Sequence, residues 1–537
     1  MAQSKIIQGI VGGYAKSNID RACQASSVNM FFDSQGAQSA SSAIMRSIPG
    51  TSKALEMPEG KCRGLYRASR GVTGYPVLYG VWGSHLYLIL QSNGRFVYHR
   101  IGTVSNGLEE PVSMCETNGY GDAHPRLIVA DGIQLYAVDT TLQPPDQAAD
   151  YKAIALPYTD ASTTQYIKPS HVAYLYGYLA VLDQGTDAFV LSCQYPFEED
   201  IYGDDIFMLE DHTYTEEVGG QTITVTKKGN PQGFKIYSEW CADTTRAMIN
   251  CGGFLYTFGD RSFQCFSYHD DINFPFQSPD TAAAAIGIKA PRSIAAIGKT
   301  VFWLGASDIG ENGIFMAEGT NFKRISTKDI EREIGEFVVP SDAVAQAWQE
   351  YNHVFYAITF RNDKRTFVYD LTEGLWHIRS SFDDDMPGNE GLWRPQYAAL
   401  AYNKLFFGTL QDNVLAVQDM NKWTEYDGLL MVRKRTSGVI LTDFSSFYCT
   451  SLKLIINNGQ VSDPDLLPEV LMRYTWDGSV WSDQEAANVG PIGRYDWETV
   501  WWTLGYGEVL SVEVSCSDPY DFTIISAKIQ YDQGGLL

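Results

Sequence analysis

Apolar residues recur at alternate positions along most of this chain, in short runs that stop at glycine, asparagine or proline. A period of two is the mark of a half-buried strand. The stretch Ile294–Ser380 is the most regular. It reads IAAIGKTVFWLGASDIGENGIFMAEGTNFKRIST, then a charged segment, then AVAQAWQEYNHVFYAITFRNDKRTFVYDLTEGLWHIRS. Each half predicts a strand, a tight turn, a strand, a loop and another strand.

The same unit recurs elsewhere. Aligned on the turn and the strand after it, the copies are GSHLYLIL from Gly83, GIQLYAVD from Gly132, GYLAVLD from Gly177, GFLYTFGD from Gly253, GKTVFWLG from Gly298, NHVFYAIT from Asn352 and NKLFFGTL from Asn403. Glycine and asparagine tolerate the positive φ of tight hairpin turns. Another short apolar strand precedes each turn: PVLYGVW, PRLIVAD, HVAYLY, RAMINC, RSIAAI, AWQEY and YAALAY. Successive turns are 49, 45, 76, 45, 54 and 51 residues apart. A period near 45–50 with three or four short strands per unit predicts an all-β fold, a β-propeller of about seven blade-like units. A large β-sandwich with similar hairpins is the competing pattern.

The 76-residue gap exceeds one period, and its surplus lies near residues 195–233. Within it, Phe197–Glu217 carries nine acids and no Lys or Arg: Glu198, Glu199, Asp200, Asp204, Asp205, Glu210, Asp211, Glu216 and Glu217. The plain reading is a solvated loop. The sharper one is a protrusion that meets a partner, lines a channel or binds a cation. The segment QTITVTKKG that follows alternates like a hairpin strand.

Helix is scarce. Ser326 or Thr327 can cap a short helix over Lys328–Glu336, with Asp329 in its first turn. Asp342 is placed to cap another over Ala343–Gln349. From about Trp423 the period stops, and a brief basic patch, VRKR, begins at Val432. Beyond it, five or so strand-like runs with turns at Asn458-Gly459 and Asp477-Gly478 predict a separate β-sandwich-like domain. Trp497, Trp501 and Trp502 cluster there. Neighbours in a strand face opposite sides, so part of this cluster is expected outside the domain core as docking aromatics. The expected organisation is an N-terminal arm with possible propeller closure over 1–60, a propeller over 61–422, and the C-terminal domain over 423–537.

Composition narrows function. Sixty-four acids against 40 bases give a net charge of −24. Such a surface repels phosphate and disfavours nucleic-acid binding by counterion release, though it can surround DNA without adhering to it. No apolar run reaches the ~18 residues of a membrane span. The start, MAQSKIIQGIVGG, lacks the apolar stretch of a secretory signal, so synthesis in a cytoplasm without export by that route is expected. Nine scattered cysteines, with no CxxC pair, read as reduced and mostly buried thiols.

Sites for chemistry are few. The eight histidines show no HExxH spacing, and no GxSxG, GxxxxGK[ST] or strand-linked GxGxxG is present. Asp211-His212 with Glu216 and Glu217 offers metal-ligating groups, and Asp383–Asp385 offers oxygens for Ca²⁺ without EF-hand spacing. Both read more simply as exposed loops. No catalytic residue, cofactor or metal ligand is assigned. Glycoside hydrolysis needs only two carboxylates across a cleft, so an enzymatic or glycan-binding propeller of a phage or bacterium is the rival reading.

Several stretches, in order, resemble one family. They are SSVNMFFDS with IMRSIPG near the start, GFLYTFGDRSFQCFSYH (Gly253–His269) ahead of Pro275-Phe276, Ile297–Ile334, His353–Ser381, and LMRYTWDGSVWS, GPIGRYDWETVWWTLG and SDPYDFTIISAKI near the end. The chain resembles the tail hub, or nozzle, of short-tailed bacteriophages, also called the packaged-DNA stabilisation protein. The acidic segment has no counterpart in that pattern. The resemblance implies a structural, non-enzymatic protein of the virion tail, assembled in the host cytoplasm. It implies a homohexameric ring below the portal and its adaptor ring. That ring would extend the DNA channel, hold the packaged genome and dock spike, fibre or needle proteins. DNA would pass through its lumen without sequence-specific binding, and the host cell envelope is a further expected contact.

Overall fold

The computed structural model describes residues 3–16, 24–36, 42–105, 110–118, 124–154, 167–197, 206–207, 212–218, 221–227, 235–237, 243–271, 275–279, 283–306, 312–442, 445–460 and 465–533. Seven antiparallel sheets form the blades of a β-propeller. Blade 1 comprises Cys62–Ala68, Val77–Trp82, His85–Ser92 and Arg95–Thr103. Blade 2 comprises Ser113–Glu116, Arg126–Ala130, Leu135–Asp139 and Lys152–Ile154. Blade 3 runs through Pro169–Leu175, Tyr178–Asp183 and Ala188–Leu191 to Lys235–Tyr237. Blade 4 is built on Thr245–Cys251, Phe254–Gly259 and Phe263–Tyr268. Blade 5 holds Gly287–Ile288 and Ala295–Ile297 side by side with Thr300–Ala306, then Asn312–Glu318 and Asn321–Arg324. Blade 6 is Val344–Glu350, His353–Phe360, Arg365–Asp370 and Leu375–Arg379. Blade 7 is Pro395–Ala401, Lys404–Thr409 and Val414–Asp419, completed by Gly50–Glu56 from the other end of the chain. The first strands of successive blades pack side by side, and blade 7 returns to blade 1, so the ring is closed.

Packing blade against blade buries both faces of each sheet. Val77–Trp82 and Tyr178–Asp183 are buried at every position. This is why these two middle strands read as continuous apolar runs. The seven turns do not all occupy the same place. Those at Gly177, Gly253, Gly298, Asn352 and Asn403 join the first strand to the second, whereas Gly83 and Gly132 join the second to the third. All seven residues have positive φ, from 51° at Gly83 to 91° at Gly132, so the two hairpin types look alike in sequence. The long gap reflects an insertion between the third and fourth strands of blade 3, which includes the hairpin His212–Val218 with Gln221–Lys227.

The Lys328–Glu336 helix is present, with Thr327 Oγ1 accepting the Ile330 N–H at 3.5 Å. A second helix, Pro144–Asp150, begins on proline and was not anticipated. The helix expected over Ala343–Gln349 is instead the first strand of blade 6. Val344, Gln346, Trp348 and Glu350 are buried in alternation, and pairing with His353–Phe360 outweighs the helix-forming Ala and Gln content. Asp342 closes a 3-10 turn there rather than capping a helix.

The C-terminal part is a two-sheet sandwich, but it is not built from C-terminal residues alone. One sheet contains Thr499–Gly507, Phe447–Ile456 and Ile524–Gln533, continued by Ala43–Ser47 and Met30–Ser34, with Gln3–Ile6 on Ile524–Gln533. The other contains Arg433–Thr436, Ser511–Cys516, Glu469–Thr475 and Glu485–Asn488, and Ser27–Val28 joins it to blade 6 through the parallel pair Ile378 and Val28. Ile7, Ile10, Met30 and Met45 lie in the sandwich core with Phe447, Leu452 and Val514. The N-terminal segment thus divides. Its first part completes the sandwich, and Gly50–Glu56 closes the propeller.

The VRKR patch faces inward. Arg433, Lys434 and Arg435 are buried. The Arg435 guanidinium donates to the carbonyls of Ile10 (2.9 Å), Gly13 (3.1 Å) and Gly9 (2.9 Å), clamping the N-terminal segment. Lys434 pairs with Glu390 of the propeller.

Candidate functional site

A buried polar seam holds the propeller and the sandwich in one arrangement. Asn29 adopts φ 54°, which an Asn accepts more readily than other non-glycine residues. Its Nδ2 donates to the carbonyls of Ser380 (2.9 Å) and Val432 (2.8 Å), and its Oδ1 accepts the Ser380 N–H at 3.0 Å. One side chain therefore bonds to blade 6 and to the approach to the sandwich. Close by, His353 Nδ1 lies 2.6 Å from Asp370 Oδ2, and its Nε2 lies 3.5 Å from Asp33 Oδ1. Burial alone would lower its pKa, but Asp370 and then Asp33 outweigh it and hold the imidazole above its usual range. Farther out, Arg365 bridges Glu333 and Glu390, each at 2.8 Å, and Tyr14 donates to Glu333 at 2.7 Å.

This rigid frame carries the surfaces a partner could meet. On the sandwich, Trp502 is 66% exposed and Tyr506 59%, while Trp501 is 3% exposed. Trp501 packs in the core and donates its Nε1–H to Glu485 O at 2.9 Å. It is therefore corrected from a docking aromatic to a core residue, because adjacent strand residues face opposite sides. Trp497 is half-exposed and donates to Asn488 O at 2.9 Å. Tyr448, which the sequence reading missed, is also exposed and is the register partner of Tyr506. Its signal lay in the strand FYCTSLKLII, where it alternates with the buried Phe447 and Cys449.

The acidic insertion is placed only in part. Glu198, Glu199, Asp200, Asp204, Asp205, Glu210 and Asp211 lie outside the described residues. Glu216 and Glu217 sit in the insertion hairpin, opposite Ile223 and Thr222. Among the described residues no group of His, Cys, Asp and Glu is arranged to hold a metal ion. Asp383 Oδ2 takes Lys364 Nζ at 2.9 Å and its Oδ1 takes the Asp385 N–H at 3.1 Å, so this carboxylate serves its own loop. Cys62, Cys115, Cys193, Cys251, Cys265, Cys449 and Cys516 are buried, and burial pushes the Cys62 thiol up to about 12.

Comparison with known proteins follows the architecture. Solved structures similar to this chain include the β-propeller domain of Cps50 (Swd1) from Myceliophteria thermophila, at 8% identity and TM-score 0.38, covering 68% of this chain and 98% of that one. A putative 6-phosphogluconolactonase from Bacteroides fragilis matches at 12% identity and TM-score 0.37, covering 68% and 95%. A mutant Trypanosoma rangeli sialidase matches at 9% identity and TM-score 0.29, covering 89% and 97%. No curated protein matches. The family described as "Bacteriophage P22 Gp10, beta-propeller" matches residues 5–422, which contain all seven blades and the strand that closes them. The chain belongs to this phage-stabilisation family and is a structural protein of a bacteriophage.

Proposed function

We propose that copies of this chain form the tail hub, or nozzle, of a short-tailed phage particle. A ring of them, a homohexamer, sits below the portal and its adaptor ring, extends the DNA channel, retains the packaged genome and docks spike, fibre or needle proteins. Membership of the phage-stabilisation family carries this reading. The net charge of −24 supports it, because an acidic wall offers a passing duplex few phosphate contacts to break. The exposed Trp502, Tyr506 and Tyr448 suit protein docking, where aromatic side chains supply large contact area. The protein acts by assembly in the virion and not by catalysis, and it assembles in the host cytoplasm. The acidic insertion on blade 3 is a candidate contact for a neighbouring tail component or the host cell envelope.

Cryo-electron microscopy of the particle tests the reading. Density for this chain around the axial channel is expected. Density confined to the capsid shell or to the fibres would refute the hub. Turnover of host polysaccharide by the purified chain would favour the rival glycoside hydrolase.

A further inference from the structure

The first strands of the blades share an irregularity near their starts. A bulge falls between Cys62 and Gly64 in blade 1, Pro169 and Val172 in blade 3, Thr245 and Ala247 in blade 4, and Gln396 and Ala398 in blade 7. The extra residues are Arg63, Ser170 with His171, Arg246, and Tyr397. In blade 5 the 3-10 turn Pro291–Ser293 interrupts the same strand position and carries Arg292. A bulge re-aims a side chain at a small cost in pairing. Five of seven blades use this device at corresponding places.

The irregularities of blades 3, 4 and 5 meet around a cavity of about 570 Å³, lined by Lys168, His171, Arg246, Arg292 and Arg361 among others. Three carboxylates, Asp131, Asp342 and Glu110, also line it, and Asp342 Oδ1 is buried without a hydrogen-bond partner. Asp131 accepts the N–H groups of Ile133 (2.9 Å), Gln134 (2.8 Å) and Ser105 (2.7 Å). Asp342 Oδ2 accepts the Asn362 N–H at 2.7 Å. Glu110, also in the lining, acts electrostatically on Arg292. Arg246 is committed to Asp260, at 2.8 and 3.0 Å.

Arg292 and Arg361 are not so committed. Arg361 donates its Nε–H to the Asp342 carbonyl at 3.0 Å, and no carboxylate lies within ion-pair distance of either guanidinium among the described residues. Arg292 has no hydrogen-bond partner among them, and burial pushes it down to about 10, with Tyr397 and Glu110 opposing and Arg63 adding to the shift. His171, 4% exposed, holds Ser170 Oγ at 3.2 Å through Nδ1, while its Nε2 has no hydrogen-bond partner. Burial and the Arg292 charge keep this imidazole neutral, against a weaker pull from the Pro291 carbonyl. With the Ser170 hydroxyl donating to Nδ1, the tautomer this proposal requires, the neutral ring carries its proton on Nε2 and can donate it.

We propose that this cavity binds a small oxyanion, a phosphate or a carboxylate group, between Arg292, Arg361 and His171. Both arginines are partly exposed, and a planar guanidinium matches two oxygens of either group. Lys168, Arg246, Arg292 and Arg361 line the cavity together with Glu110, Asp131 and Asp342, so the lining carries a slight excess of cations in a chain of net charge −24.

Isothermal titration calorimetry of the full chain tests this with two probes, inorganic phosphate and citrate, each against sodium chloride at matched ionic strength. One saturable site per chain is expected for at least one probe, and which probe binds distinguishes phosphate from carboxylate. Arg292→Gln and Arg361→Gln should each weaken binding at least about tenfold. Far-UV circular dichroism checks that the variants keep their sheet content. Should one fail to fold, the other carries the test. No saturable heat with either probe at millimolar concentration, or equal binding by a folded variant, would overturn the proposal.

Discussion

Arg379 Nη1 lies 3.2 Å from Glu350 Oε2, and neither side chain reaches water. The guanidinium carbon also stands 4.9 Å from the ring centre of Trp348, 5.0 Å from Phe355 and 5.3 Å from Trp393. A buried pair of this kind contributes little over an apolar replacement, but losing one partner strands a charge. Glu350→Gln should cost about 3–5 kcal/mol of unfolding free energy, read from urea midpoints. Glu350→Leu combined with Arg379→Met should recover most of that loss. A single variant with an unshifted midpoint would contradict the argument.

His353 predicts a pH dependence of stability. Asp370 and Asp33 raise its folded pKa above the ordinary 6.5, against the opposing effect of burial. A raised folded pKa contributes stability that is full below the unfolded value and is lost as pH rises through the folded value. The neighbouring His377, held neutral by burial and by Arg379, has the opposite dependence, but it is present in both proteins and largely cancels in their difference. His353→Gln should therefore lose most, on the order of 1–3 kcal/mol, in mildly acidic buffer, and the gap should narrow as pH rises above 6.5. Denaturation of both proteins across this range reads the difference.

Trp501 and Trp502 are neighbours with opposite surroundings. Trp501→Ala empties part of the sandwich core and should cost about 3–5 kcal/mol. Trp502→Ala should leave the monomer within about 0.5 kcal/mol of the parent. Under the proposed ring assembly it should instead lower the yield of rings, alone or with Tyr506→Ala, in mass photometry. Equal assembly by the Trp502 variant would remove this aromatic face from the interface.

Propeller closure rests on a close approach at Gly50. Its N–H donates to Lys422 O at 2.6 Å, and the Thr51 N–H donates to Thr424 O at 3.1 Å. A Cβ on Gly50 would fall inside contact distance of both carbonyl oxygens, which belong to backbone and cannot swing away. Gly50→Ala should cost about 1–3 kcal/mol. Amide exchange should rise first in Gly50–Glu56 and Val414–Asp419, the two strands of the closure. Exchange spread evenly over the blades would show that closure is not the weak point.

The order of residues by itself determined the blade count. Alternation and the positive-φ turn residues are local properties, so seven hairpins could be read without any contact between them. The cap of the Lys328–Glu336 helix and the burial of the seven described cysteines were legible for the same reason. Phase was not: the hairpins at Gly83 and Gly132 obey the same local rule as the other five, and only strand pairing shows that they lie one position farther out. The Ala343–Gln349 segment shows the limit again, since helix-forming residues became a strand once a neighbour offered a ladder. The tertiary structure alone decided the division of the N-terminal segment between sandwich and propeller. It also turned a basic patch into an internal clamp, put Trp501 inside and Trp502 outside, and gathered Arg292, Arg361 and His171 around one cavity. These features depend on groups far apart in the chain meeting away from water, where an unpaired charge or a missing hydrogen bond becomes costly, and no local pattern in the sequence records which groups will meet.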